Sequence, residues 1–219
     1  MPLFYQHNIN EVTKLGIWRI EEPPSFFLEK VPLKNDVTHP FKRLQHLAGR
    51  YLLPLLFPDF PLGEILIADT RKPFLSSEKY HFSISHSGSF AAAIVSATGR
   101  VGVDIESITP RIRALAHKFV GESEQQALPG DPQAVPGDPP AFPGEEMLTL
   151  IWCAKESIFK WYSLGEVDFR RHMQFRGPIL RHADGIRMPF LFEKGITIAL
   201  DVEARVFSEL SLALAWVIT

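Results

Sequence analysis

Trp152-Cys153-Ala154-Lys155-Glu156-Ser157-Ile158-Phe159-Lys160 answers a second acidic stretch, Gly102-Val103-Asp104-Ile105-Glu106, about fifty residues upstream. If the upstream stretch is a strand, residues two apart share a face. Asp104 and Glu106 then project together, while Val103 and Ile105 turn to the core. If the downstream stretch is a helix, Ile151, Ala154, Ile158 and Trp161 make its apolar stripe, with Glu156 and Lys160 on the other side. The two segments together offer three carboxylates and two lysines. Three carboxylates around an open position suit Mg²⁺, which keeps waters and clamps a substrate phosphate or pyrophosphate. By composition alone, two acids on a strand are a solvated face, and Glu156 with Lys160 is an ordinary helical pair worth a few tenths of a kcal/mol.

Outward from these segments, the rest of the chain reads as α+β. His39-Pro40 precedes a helical pattern in which Phe41, Leu44, Leu47, Ala48, Tyr51 and Leu52 recur at three and four residues, until Pro54 stops or kinks it. Its polar side carries Lys42, Arg43, His46 and Arg50. Strand-like runs follow at Glu64 to Ala68, Tyr80 to Ser85, Phe90 to Val95 and Val101 to Glu106, then a helix at Arg111 to Phe119. Strands return around Arg187 to Phe192, Gly195 to Val202 and Leu210 to Ile218. Helices and mostly antiparallel strands in separate runs favour α+β over a parallel βαβ sheet. Between residues 129 and 144, Pro-Gly recurs every seven residues as PGDPQAV, PGDPPAF and PGEE. Proline in every register excludes a heptad, and the stretch reads as a flexible surface loop.

Composition bounds the function. The chain has 219 residues, 46% hydrophobic and 22% charged, enough to bury a large core. A formal net charge of −2 argues against bulk electrostatic binding of nucleic acid, so partners must be recognised locally. The single cysteine, Cys153, excludes an internal disulfide and suits a reducing cytoplasm. Met1 to Ile20 interleaves polar residues with apolar ones and has no signal-peptide core, and Leu210 to Ile218 is too short to span a bilayer. The expectation is a cytoplasmic protein with neither membrane nor nucleic-acid partner.

Three motifs in order, Phe82-Ser83-Ile84-Ser85-His86-Ser87-Gly88, Gly102-Val103-Asp104-Ile105-Glu106 and the Trp152 to Lys160 stretch, resemble the 4′-phosphopantetheinyl transferase superfamily. The chain length resembles its larger, surfactin-synthetase-activating branch. That resemblance implies two similar α+β halves packed as a pseudo-dimer within one monomeric chain, here divided as 1–105, on the coenzyme A nucleotide side, and 106–219, on the carrier-protein side. It implies transfer of 4′-phosphopantetheine from coenzyme A, as substrate, to a serine of an acyl or peptidyl carrier protein. Asp104, Glu106 and Glu156 are implied as Mg²⁺ ligands, and Lys155 and Lys160 are implied at the coenzyme A phosphates. Glu156 is a candidate to help deprotonate the serine, directly or through a bound water, and Glu124 loosely matches a glutamate that some members use as base.

The resemblance also places Ser85-His86 on the coenzyme A phosphates and Lys72-Pro73 at its nucleotide end. Hydroxyls, an imidazole and turn amides suit phosphate oxygens on their own chemistry, whereas a lone histidine is more commonly a half-buried, hydrogen-bonded one. Arg71 stands where the family's G-K-P element has glycine, and Ser83 where asparagine is frequent. Arg43 and Arg50 lie seven apart on one helix face with His46 between them, spaced either to grip the 3′-phosphate or to face solvent. Arg111, Arg113, His117 and Lys118 form a candidate basic docking face for an acidic carrier, with Arg170 and Arg171 as the next place to look. Two other readings use the same residues: a different Mg²⁺-dependent nucleotide phosphotransferase or pyrophosphohydrolase, and an inactive binder of coenzyme A or carrier proteins.

Overall fold

The computed structural model describes residues 3–31, 38–128 and 143–219. Residues 129–142 of the Pro/Gly stretch, including Val135 and Phe142, lie outside the described residues. The N-terminal part contains β1 (Leu3–Asn10), β2 (Thr13–Arg19), α1 (Pro24–Leu28), α2 (Pro40–Leu56), β3 (Leu66–Ile67), β4 (Pro73–Phe74), β5 (His81–Ser87) and β6 (Phe90–Ser96). The C-terminal part contains β7 (Val101–Ser107), α3 (Arg111–Phe119), α4 (Glu122–Ala127), α5 (Glu145–Tyr162), β8 (Met173–Phe175), β9 (Leu180–His182), β10 (Gly185–Glu193), β11 (Thr197–Phe207) and β12 (Leu212–Ile218).

The architecture is α+β, with antiparallel pairing throughout the described strands. One sheet runs β1-β2-β6-β5; the other runs β7-β12-β11-β10-β8, with β9 on β10. The two parts share a connectivity. In each, the strand before the long helix (β2 or β7) pairs with the last strand (β6 or β12), which also pairs with the one before it.

Hydrophobic burial sets the layers. Leu47, Leu52 and Leu53 of α2 pack on Trp18, Ala91, Ala93 and Val95 of the first sheet, and Ile151, Ala154 and Ile158 of α5 pack on Ala213, Ala215 and Val217 of the second. The remaining faces meet each other: Leu15, Ile17, Ala92 and Ile94 against Val103, Ile105, Leu212, Leu214 and Trp216. The order of layers is therefore helix, sheet, sheet, helix. Full burial of a large apolar side chain is worth roughly 1.5–3 kcal/mol, so this contact contributes strongly to holding the halves together.

β7 pairs with β12 (Val103 opposite Trp216, Asp104 opposite Ala215), so the acidic strand belongs to the second sheet. The chain crosses between sheets around residues 97–100. α2 continues past Pro54 to Leu56, because a proline that close to a helix end removes only one internal hydrogen bond. At its other end, Pro40 occupies the first turn and the His39 ring accepts from the Lys42 amide.

One glycine decides how α5 sits on β7. A Cβ at Gly102 would lie 1.9 Å from the Ser157 carbonyl oxygen and 2.8 Å from the Trp161 amide nitrogen. Only the absence of a side chain lets the helix lie directly on the strand, and that contact places Asp104 under α5.

Candidate active site

Along the seam between the halves, β5 lies beside β7 without sharing a backbone ladder. Ser83, Ser85 and Ser87 share one face of β5, as alternate strand residues must. Ser83 Oγ accepts from the Val103 amide at 3.2 Å and Ser87 Oγ from the Ser107 amide at 3.0 Å. Ser85 Oγ donates to Asp104 Oδ1 at 2.6 Å, and Ser87 Oγ to Glu106 Oε2 at 3.0 Å. The same serines thus replace the missing ladder and hold the two acids.

From the other side, α5 brings in Lys160. Its ammonium donates to Asp104 Oδ1 at 2.6 Å, Ser85 Oγ at 2.8 Å and the Val103 carbonyl at 3.2 Å. Asp104 is only 3% exposed, and its Oδ2 is buried with no hydrogen-bond partner. The Glu156 carboxyl is pushed up to about 7, first by burial and then by repulsion from Asp104. Glu106 is raised by the same causes in the same order. As the side chains lie, no three acidic, histidine or cysteine residues among those described are arranged to hold a metal ion. The expected triad of ligands is adjacent but not converged, because Lys160 occupies one Asp104 oxygen and Ser87 holds Glu106.

Next to the acids, the space between α2, the β3–β4 turn, β5 and the end of α5 is a cavity of about 290 Å³. It brings together Arg50, Lys72, Pro73, His86 and Lys160, all expected at a coenzyme A site, and adds His46, Thr70, Arg71, Phe159 and Ser163. Its charged lining residues are cationic, and it has apolar walls at Ile67, Ile84 and Phe159. The two imidazoles stand 5.5 Å apart, ring to ring. Burial lowers both, and for His46 the neighbouring His86, Arg50 and Lys42 add to the effect. Lys72 is lowered to about 8 by burial, then by Arg100 and Lys160. Its ammonium caps the C-terminus of α5 by donating to the Lys160 carbonyl and to Ser163 Oγ. Arg71, where the family has glycine, takes φ 64°, the left-handed conformation glycine favours. The turn survives the substitution and gains a cation. His46 was legible as the residue one helical turn before Arg50; Ser163 and Phe159 belong to a helix face whose partner no sequence pattern names.

Four expected residues lie outside the cavity wall. Arg43 is not in the cavity wall, and its Nε is buried without a partner. Lys155 is fully buried on another side of α5, where it donates to the carbonyls of Phe119 at 2.6 Å and Phe169 at 2.9 Å and to Glu124 Oε2 at 2.7 Å. Glu124, 2% exposed, also accepts from the amides of Gly121 and Phe175, each at 2.7 Å. With its three donors satisfied by protein, Lys155 has none for a phosphate, and Glu124 is walled off from any substrate serine. The helical pattern could not reveal this, because a lysine on the buried side of a helix is expected only when a carboxylate waits there. Ser85 stands behind the cavity, between Asp104 and Lys160.

The comparisons with known proteins place the chain in a family. The family model described as the 4′-phosphopantetheinyl transferase superfamily matches residues 100–213. The chain belongs to that superfamily. Over 125 residues it is 38% identical to the 4′-phosphopantetheinyl transferase AcpT of Escherichia coli (strain K12), covering 54% of this chain and 57% of the relative. To AcpT of Salmonella typhimurium it is 33% identical over 125 residues, 54% of this chain and 58% of the relative. The chain thus spans less than two thirds of the length of the curated relatives it matches.

Two outcomes follow from these positions. Lys155→Met leaves Glu124 buried without its cation, a change that costs about 3–5 kcal/mol. Differential scanning calorimetry should register a large fall in melting temperature, while coenzyme A affinity of the folded fraction stays normal; a stable variant with weakened coenzyme A binding would return Lys155 to the phosphate site. Glu156 titrates near 7 when folded against 4.5 as its ordinary value. The stability from burying its neutral form is therefore fully present below about pH 4.5 and lost as pH rises through 7. Glu156→Gln should raise the melting temperature at pH 8, by on the order of 2 kcal/mol of stability, and leave it unchanged near pH 4.5; an equal effect at both values would refute the assignment.

Proposed function

We propose that this protein transfers the 4′-phosphopantetheine group of coenzyme A to a serine of an apo carrier protein, with Mg²⁺ as cofactor and adenosine 3′,5′-bisphosphate as the second product. The observation that carries the reading is the junction of two opposite environments along one seam. A cationic cavity large enough for part of a nucleotide opens beside a buried acidic cluster, and Lys160 belongs to both.

Asp104, Glu106 and Glu156 would hold the cation, and the buried, unpartnered Asp104 Oδ2 is the observation that favours it, since an orphaned carboxylate oxygen in a dry site is costly without a ligand. When bound, Mg²⁺ supplies charge neutralisation at the pyrophosphate. Arg50 and Arg71 offer planar forks to phosphate oxygens, while Lys72 and Lys160 offer point charges. His86, lowered by burial, offers a ring N–H to a phosphate oxygen. Glu156 is the candidate to accept the proton of the attacking serine, directly or through a bound water; its rise to about 7 belongs to the cluster without the cation, which would lower it on binding. The serine oxygen forms its bond to the β-phosphorus of coenzyme A as the bond to the bridging oxygen breaks, and the bisphosphate leaves with that electron pair.

Arg111, Arg113, His117 and Lys118 line the exposed side of α3, with Arg113 paired to Glu145 at 3.0 Å. This basic face, next to the acidic strand in sequence, is our candidate for docking an acidic carrier. No described helix is long and apolar enough to cross a membrane.

Incubation of this protein with an apo acyl carrier protein, coenzyme A and Mg²⁺ should add the mass of phosphopantetheine to the carrier. Asp104→Asn, which keeps the shape and removes the charge, should abolish at least 99% of that rate, a loss of roughly 2.7 kcal/mol or more of transition-state stabilisation. No mass shift with any apo acyl or peptidyl carrier would defeat the reading, and nucleotide hydrolysis in its place would favour a pyrophosphohydrolase.

A further inference from the structure

Lys160 is claimed by two sites at once. An ammonium has three donors, and here Asp104 Oδ1, Ser85 Oγ and the Val103 carbonyl take them all at 2.6, 2.8 and 3.2 Å. The same side chain lines the cationic cavity. While it is held this way it has no donor left for an anion there. The acids are equally committed: Asp104 keeps one oxygen under the ammonium and the other buried and unpartnered. In this arrangement no three metal-binding groups among the described residues converge.

We propose that Lys160 is a displaceable counter-ion: it neutralises Asp104 while both sites are empty, and swings to the anion cavity when a divalent cation takes over the acids. The inference rests on the metal and coenzyme A reading above and adds a role for this residue that neither site requires by itself. A cation that binds Asp104 must displace the ammonium, and an anion that attracts the ammonium uncovers Asp104. Each ligand thus promotes the other through a residue of the protein, in addition to any direct contact between them. The coupling is reciprocal, and such couplings typically amount to 5- to 150-fold in affinity. Without an anion, the lysine works as a built-in competitor that keeps the cation off the acids.

The test uses Mn²⁺ alone with the full chain at pH 8, followed by loss of the free-ion electron paramagnetic resonance signal. Lys160→Met removes the competitor and should bind Mn²⁺ about tenfold more tightly than wild type. Equal or weaker binding by the folded variant overturns the proposal. Should that variant fail to fold, wild-type protein decides the matter through acetylation of Lys160 by acetic anhydride, read by mass spectrometry with and without Mg²⁺. The amine should become several-fold more reactive with Mg²⁺, as a salt-bridged ammonium is released; unchanged reactivity overturns the proposal. Mn²⁺ binding by wild type in the presence of coenzyme A, corrected for binding to coenzyme A itself, without a gain in Lys160→Met, removes the displacement and leaves the metal reading. No Mn²⁺ binding by either protein under either condition removes both.

Discussion

Two sheets that meet through dry apolar faces leave one problem at their edge: on β7 the Val103 amide and the Asp104 carboxylate are buried from water, and the Ser107 amide and Glu106 flank them. Three serine hydroxyls on β5 solve it. Ser83 and Ser87 accept from β7 amides, while Ser85 and Ser87 donate to Asp104 and Glu106. A hydroxyl both accepts and donates, so one residue type can close the backbone and orient an acid at once. The acids on one half are therefore fixed only when the other half is docked. The position of everything else at the seam, Lys160 included, follows from that contact.

Electrostatics then separates the site into two compartments. Along the cavity, Arg50, Arg71, Lys72 and Lys160 stand with lowered imidazoles and without an acid in the lining. Below Lys160, burial and then repulsion from Asp104 raise both Glu106 and Glu156. Buried groups of one sign are unstable alone, and perturbed titration at such clusters marks functional sites more often than structural ones. The pair Lys155–Glu124 shows the contrasting case: its lysine is fully buried and does not line the cavity, whereas Lys160 does, and the pair serves to join α4 and β8 to α5.

Much of this was legible in the residues. The alternation in Val101–Ser107 put Asp104 and Glu106 on one side, and the spacing of Arg111–Phe119 marked its helix to the residue. The α+β class also followed from the pattern of runs. What the sequence could not carry were long-range pairings. Nothing local says that β7 zips to β12, or that the lysine just before Glu156 turns to Glu124. The alternating exposure of β1 is plain in the structure, whereas polar residues scattered through Met1 to Ile20 blur that alternation in the sequence. Arg71 illustrates the opposite limit: its identity argued against the turn, and the backbone adopted it regardless, at a cost of about 1–2 kcal/mol.

The central claim is that the cavity at the seam receives the phosphates of coenzyme A within reach of the acids on β7. A crystal structure with coenzyme A tests it most directly. Phosphate density should lie against Arg50, Lys72 and His86, with Lys160 turned from Asp104 toward the pyrophosphate. Coenzyme A bound elsewhere on the molecule, with this cavity empty, would contradict the account.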